Sequence, residues 1–521
     1  MLDEQRRKAM KQFALFGSSI MLFPTLDVQA KMLEKDVPVW DEEFDAIVVG
    51  SGYAGTAAML SMMNKGLKNV LMIDKMQYMG GNSSISGGSY AMSRTSIQKE
   101  HGIQDDPEQH IKDTLKSGHN LNNPEMVRIM AYEGLEAFNW LVNNGVQWKL
   151  FSRSGGHSAP RNHSVGVGSF ITMPLQEHIM KQGGQQRTRV IMDELVYDDK
   201  GRVIGMKVRE KYEFKFDRSF DENENKTGIT KYYRANAGVV LATGGWAGDP
   251  KVRELFNPAL KPEMPTTNHY GATGYTIQKL IKDDIDMVDM QYIQIMHVTS
   301  ADENSFGFGF RAITSGYSYG MMFNPKTGRR FVNEIADRRI CSDAIFAMNE
   351  KGKNHPLLLM DINGAKTVEI DALQRGIEAG AVYQFETLDE MIQKFNVNKE
   401  PFLDELKKYN SYVLTGKDPE FGRTFFKNND KYITIEKPPY FVMRPGPKIH
   451  HCMGGVRTTV DCEVYSTSGK LVEGLYACGE VTGGRHGYNR LGSNSVVDCI
   501  VFGRRAGFAV AERYKSLLRR A

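Results

Sequence analysis

Residues 44–55 read Phe-Asp-Ala-Ile-Val-Val-Gly-Ser-Gly-Tyr-Ala-Gly. The run from Phe44 to Val49 is short, apolar and β-branched, the pattern of a strand buried on both faces. It passes without a break into Gly50, Gly52 and Gly55, spaced G-x-G-x-x-G, and then into an Ala- and Met-rich stretch that reads as a helix. A second apolar run, Val70 to Ile73, ends on Asp74, 19 residues beyond Gly55. Strand, glycine turn, helix, second strand and terminal acid make a dinucleotide-binding βαβ unit. In such a unit Gly50 permits the tight turn, Gly52 lets the backbone approach a pyrophosphate, and Gly55 lets the helix pack close to the strand. The helix N-terminus presents free N–H groups and a positive dipole end to the phosphates. Asp74 can accept hydrogen bonds from ribose hydroxyls. The three glycines alone would fit any tight βα turn; their surroundings carry the nucleotide reading.

Working outward, residues 80–88 read Gly-Gly-Asn-Ser-Ser-Ile-Ser-Gly-Gly, a loop expected to lie flat against a planar ring or a phosphate. Residues 105–150 read as helical, starting at Asp105-Asp106-Pro107. Residues 190–240 read as a β-meander with a turn at Asp199-Lys200-Gly201, and a further strand from Gly238 to Ala242 runs into Thr243-Gly244-Gly245. From 290 to 449 short strands and helices alternate, and after 450 the strand, glycine and helix pattern returns. The expected class is α/β: a Rossmann-type nucleotide domain over 41–289 and 450–521, interrupted by an α+β capping domain over 290–449. A chain of 521 residues needs more than one core in any case.

A formal net charge of +4 without a basic stripe argues against a nucleic-acid footprint. At the N-terminus, Arg6-Arg7 precede an apolar run from Phe13 to Phe23 and a cleavage-like Val28-Gln29-Ala30. The run is too short to span a bilayer, so residues 1–30 read as a twin-arginine export signal and the expected location is the periplasm. No later segment reads as a membrane helix. The five cysteines, Cys341, Cys452, Cys462, Cys478 and Cys499, form neither C-x-x-C nor C-x-x-C-H, so no haem c or iron–sulfur site is expected, and no metal site either.

GSGYAG, IDK, GGNSS, ATGG at 242–245, HHCMGG at 450–455, YACGE at 476–480 and HGYNRLGSNS at 486–495 follow one another in a fixed order. In this order the chain resembles the fumarate reductase and flavocytochrome c flavoprotein family over about residues 41–515. The resemblance implies FAD as cofactor, held at Gly50, Gly52, Gly55, Asp74, Lys75, Gly81, Asn82, Ser83, Gly87, Gly88, Thr243, Gly244, Gly245, Glu480, Asn494 and Ser495. It also implies an active site between the two domains. There Arg338 would be the proton donor, His450 and His297 carboxylate-binding histidines, and Arg490 the arginine that clamps a substrate carboxylate.

The chemistry suits these residue types. A guanidinium fork grips a carboxylate through two hydrogen bonds and stays charged at any working pH. A hydride from flavin N5 to the β-carbon of an unsaturated acid builds negative charge toward the clamped carboxylate, which Arg490 would stabilise. Arg338 would protonate the α-carbon. The implied reaction is reduction of the C=C bond in a small unsaturated carboxylate, with electrons from a separate multihaem cytochrome c. The same clamp would serve the reverse direction, as in a succinate or L-aspartate dehydrogenase or oxidase. A non-catalytic flavin carrier would need neither arginine.

Two departures matter. The family's Thr-Glu pair, which binds a second carboxylate and relays protons, corresponds here to Phe310-Arg311-Ala312-Ile313-Thr314-Ser315-Gly316-Tyr317. Thr314 stands in the threonine's place and no acid follows it, which favours methacrylate, acrylate or urocanate over fumarate. Ser83 and Ser84 stand where membrane-bound relatives link FAD to a histidine, so the flavin is expected to be non-covalent. Arg161 and His163 are weaker candidates for the same site.

Overall fold

A computed structural model describes residues 31–153, 156–349, 352–428 and 431–519. The export reading of residues 1–30 lies outside them. The first sheet is built on five parallel strands, ordered Gln185–Thr188, Val70–Asp74, Glu42–Val49, Ile229–Leu241, Leu471–Ala477. The chain starts in the middle, winds outward one way, and returns to the other side at Ile229–Leu241. The carboxyl ends of Glu42–Val49 and Ile229–Leu241 therefore lie side by side with their connections leaving in opposite directions. Such a switch point opens a crevice that suits a ligand.

The glycine turn sits in that crevice. Gly50 has φ +105° and a Cβ there would lie 2.2 Å from the Ala242 carbonyl oxygen. A Cβ on Gly55 would lie 1.9 Å from the Gly50 oxygen, so only glycine lets the helix start against the strand. That helix, Tyr53–Asn64, is buried from Tyr53 through Met63. It lies between the sheet and the C-terminal helix Asn494–Leu518, which explains an Ala- and Met-rich composition with no polar face.

The meander strands Ile191–Tyr197 and Val203–Glu210 pair antiparallel with each other, and Val203–Glu210 pairs antiparallel with the first half of Ile229–Leu241. The expected strand at 238–242 is thus the end of a 13-residue strand. The span 105–150, expected to be helical, holds two helices, Pro107–Ser117 and Pro124–Asn143, each begun by an Asp or Asn cap and a proline. The 80–88 segment is not a flat loop. Gly80, at φ +110°, turns the chain so that Gly81–Ile85 closes one short helix.

The second sheet is antiparallel, ordered Met321–Phe323, Leu357–Met360, Tyr440–Met443, Tyr383–Phe385. Leu358 and Met360 face a core with helix Phe310–Tyr319 and helix Arg338–Met348, whereas Leu357 and Leu359 face a core with helix Lys399–Thr415. This two-faced layer joins the nucleotide domain through one antiparallel pair, Ile293–Met296 with Lys448–Cys452. Every strong candidate of the catalytic set sits on or beside that junction. No described helix is long and apolar enough to cross a membrane.

Candidate active site

Two cavities meet in the crevice. The inner one is lined by Gly50, Gly52, Asp74, Lys75, Gly81, Thr243, Gly244 and Gly245. The outer one, about 330 Å³, is lined by Gly87, Gly88, His297, Arg338, His450, Arg490 and Ser495. Tyr53, Asn82, Ser83, Glu480 and Cys499 line both, so the two form one elongated space.

The inner cavity fits a dinucleotide. Gly52 caps the helix with no side chain to fill the space before its N–H groups, and a Cβ there would meet only Ser83 Oγ, at 2.9 Å. Asp74 is fixed at the strand end by the Ser51 hydroxyl and by the Met76 N–H at 2.9 Å. Lys75 lines the cavity, but its ammonium donates to Glu222 at 2.7 Å and to Thr273 at 2.6 Å. Glu480, at the joint, accepts from the Cys452 N–H at 3.0 Å. Burial pushes its carboxyl up to about 7.

Two expected residues lie away from the cavities. Gly55 acts through packing alone. Asn494 gives its amide to Thr114 Oγ1 at 2.9 Å and hydrogen-bonds His110 Nε2 at 2.9 Å, so its side chain braces two helices. Arg161 is fully buried between Asp105 and Asp113, and His163 hydrogen-bonds Thr95; neither lines the space.

At the outer end the structure brings Arg338, Arg490, His450 and His297 to one wall. Arg338 is the first residue of its helix. Asp337 caps that helix by accepting from Arg339 N at 2.8 Å and Ile340 N at 3.1 Å. A cation at the positive end of a helix is disfavoured. Burial, then the neighbouring Arg490, hold the Arg338 guanidinium well below its ordinary range. Arg490 is itself buried, which brings it down to about 10. Neither makes an ion pair among the described residues. Arg338 Nη1 donates to Gln294 Oε1 at 3.2 Å and Arg490 Nη1 to the Leu491 oxygen at 3.2 Å, while Arg490 Nε is buried without a partner. Two desolvated guanidinium groups with no counter-ion are costly unless an anion joins them.

Burial keeps both histidines neutral. His297 is pushed down to about 3, and its Nδ1 is buried without a partner beside Tyr317, whose ring meets it edge-on at 4.7 Å. His450 is held far below its usual value by burial and by the two arginines. Its Nδ1 lies 2.7 Å from Thr267 Oγ1. If that hydroxyl donates, the ring proton sits on Nε2. Thr314 lines the cavity, but its hydroxyl donates to the Phe310 oxygen at 2.8 Å.

Sequence reading missed Gln294, Thr267, Tyr317 and the phenyl wall of Phe306 and Phe310. One signal was available: Gln294 is the single polar residue in the buried strand Ile293–Met296.

The model of the FAD binding domain family matches residues 45–496. The chain is 33% identical over 470 residues to the acrylate reductase flavoprotein subunit of Shewanella woodyi, covering 89% of this chain and 90% of that one. The chain belongs to the fumarate reductase and flavocytochrome c flavoprotein family. It is an FAD-dependent oxidoreductase. Urocanate reductase of Eggerthella lenta is 31% identical, over 92% of this chain and 77% of its own length. The open conformation of a flavocytochrome c3 fumarate reductase superposes with a TM-score of 0.72 at 30% identity, covering 91% of this chain and 79% of that one. The Rossmann-type domain with an inserted cap is thus this family's architecture.

Proposed function

We propose that the protein reduces the C=C bond of an unsaturated carboxylate. The observation that carries this reading is the pair of buried, unpaired guanidinium groups of Arg338 and Arg490 on one wall of the flavin cavity. Arg490 takes the substrate carboxylate, and His450 adds a hydrogen bond from its ring. Bound FAD supplies the hydride. As negative charge grows toward the carboxylate, Arg490 and Arg338 stabilise it more than they stabilise the resting acid. Arg338 then passes a guanidinium proton to the α-carbon. A guanidinium is a weak acid in water, with pKa above about 12. Here burial, the helix end and Arg490 all push the proton off, and the acceptor carbon is a strong base. Phe306 and Phe310 help keep water from that carbon.

The flavin is held non-covalently, with Ser83 beside the space that joins the two cavities. Electrons come from a separate cytochrome c. The Shewanella woodyi relative is named a flavoprotein subunit, which supports a partner-dependent chain. The twin-arginine reading of residues 1–30 puts the mature protein in the periplasm.

The reading is tested by steady-state assay of the purified holoenzyme with reduced methyl viologen and acrylate, methacrylate, fumarate or urocanate. Viologen oxidation with at least one acid is expected. Oxidation with none would remove the proposal.

A further inference from the structure

One carboxylate accounts for Arg338 and Arg490, yet two more guanidinium groups line the same cavity. These are Arg153 and Arg311, and neither makes an ion pair among the described residues. Of the two carboxyls in the lining, Glu334 is held by Arg330 and Arg423, and Glu480 lies at the flavin joint. An acid neutralised at the clamp therefore enters a space that is still positive elsewhere.

Arg311 is the better placed of the pair. It is half-buried in the first turn of helix Phe310–Tyr319. Its Nη2 donates to the Gly166 oxygen at 2.9 Å, which anchors the group and leaves other N–H groups free. The hydroxyls on the same helix are already spent: Thr314 donates to Phe310 and Ser318 donates to the Thr314 oxygen at 3.2 Å. Arg311 is the group on that face with protons to give. Arg153 is exposed, with its Nε bonded to the His157 oxygen at 2.8 Å.

An apolar wall separates Arg311 from the clamp. Phe306 lies 6.4 Å from the His450 ring, Phe310 lies 4.3 Å from Phe306, and the Arg311 guanidinium lies 5.7 Å from the Phe310 ring. A four-carbon diacid has nothing to lay along two phenyl rings. A flat apolar body does.

We propose that Arg311 binds a second acidic group at the far end of the substrate. The preferred substrates are then unsaturated acids with an aromatic or extended apolar spacer between two acidic ends. This rests on the reductase reading above, and it departs from the methacrylate, acrylate or urocanate that the sequence favours.

The test pairs turnover with binding on the holoenzyme. Turnover compares 4-carboxycinnamate with cinnamate and with fumarate. Binding compares the saturated 3-(4-carboxyphenyl)propanoate with 3-phenylpropanoate, read from the flavin absorbance of the oxidised protein. The diacid should be favoured over the monoacid by about tenfold or more in both readouts, as for a charge-assisted bidentate pair, and 4-carboxycinnamate should outrun fumarate. In Arg311→Gln the preference should collapse toward one, and Arg311→Lys should restore part of it. A preference near one in the wild type, equal losses for both acids in Arg311→Gln, or a collapse in Arg153→Gln instead would overturn the proposal. If no acid turns over but the binding preference persists and depends on Arg311, the reductase reading falls and the site stands. If small acids turn over with no diacid preference, the reverse holds.

Discussion

Gln294 ties Arg338 to Arg490. Its side-chain oxygen accepts from Arg338 Nη1 at 3.2 Å, and its amide donates to the Arg490 carbonyl oxygen at 2.7 Å and to Asn489 Oδ1 at 2.7 Å. With both amide protons in use, the group cannot flip without losing its partners, so one side chain sets the spacing between the acid and the clamp. Gln294→Glu would place a carboxylate against the Arg338 guanidinium, raise its pKa and make it a poorer acid. A fall in kcat of about 10- to 100-fold is expected, with a smaller change in KM. The pH profile checks it: a merely structural defect would lower kcat evenly across pH.

Arg338 carries the proton in this account. Arg338→Ala should cost about 10²- to 10⁴-fold in kcat, while flavin content stays at the wild-type level. Absorbance of the purified variant gives the flavin content and viologen oxidation gives the rate. Arg490→Ala should raise KM and lower kcat together, because it removes a grip on the carboxylate that strengthens as charge builds in the transition state.

Glu480 predicts a pH-dependent stability of the apoprotein. Burial raises its carboxyl from 4.5 to about 7 in the folded chain. Between those values the native state holds a proton that the unfolded state has lost. Stability therefore falls as pH climbs through that window and levels off above it, by at most roughly 3 kcal/mol. Thermal melts of apoprotein from pH 5 to pH 8 should show this slope in the wild type, and Glu480→Gln should lack it.

The glycine turn separates fold from cofactor. A Cβ on Gly55 would strike the Gly50 oxygen at 1.9 Å, so Gly55→Ala should fail to fold or purify poorly. A Cβ on Gly52 meets only a serine hydroxyl, so Gly52→Ala should fold with native circular dichroism and lose most of its flavin. Acid precipitation of the wild-type holoenzyme should leave all yellow colour in the supernatant, as for a non-covalent flavin.

Much of the nucleotide domain was legible because local pattern and tertiary role agree there. The apolar strand at 44–49, the three glycines and Asp74 each have one physical reading, and the structure places them at a switch point. The helical reading of 105–150 named no break, although residues 118–123 hold one in Gly-His-Asn-Leu-Asn-Asn: Gly118 ends the first helix and the Asn123-Pro124 cap starts the second. The flat loop at 80–88 failed because two adjacent positive-φ glycines, Gly80 and Gly81, let five residues close a turn. Asn494 fell inside the right motif, yet a helix start fixes where its side chain goes, and it goes to His110 and Thr114. Gln294 showed only as a lone polar residue in an apolar strand, and the phenyl wall not at all, because their roles exist only once the cap folds over the flavin domain. Spacing along the chain carries no such information.

The most direct measurement is anaerobic single-turnover reoxidation. Protein reduced to two electrons per flavin is mixed with an unsaturated acid and flavin absorbance is followed, wild type beside Arg338→Ala. The account predicts rapid reoxidation of the wild type by at least one acid, and a rate about 10²- to 10⁴-fold lower in the variant despite unchanged acid binding. Equal rates in the two proteins, or a reduced wild type that no unsaturated acid reoxidises, would contradict it.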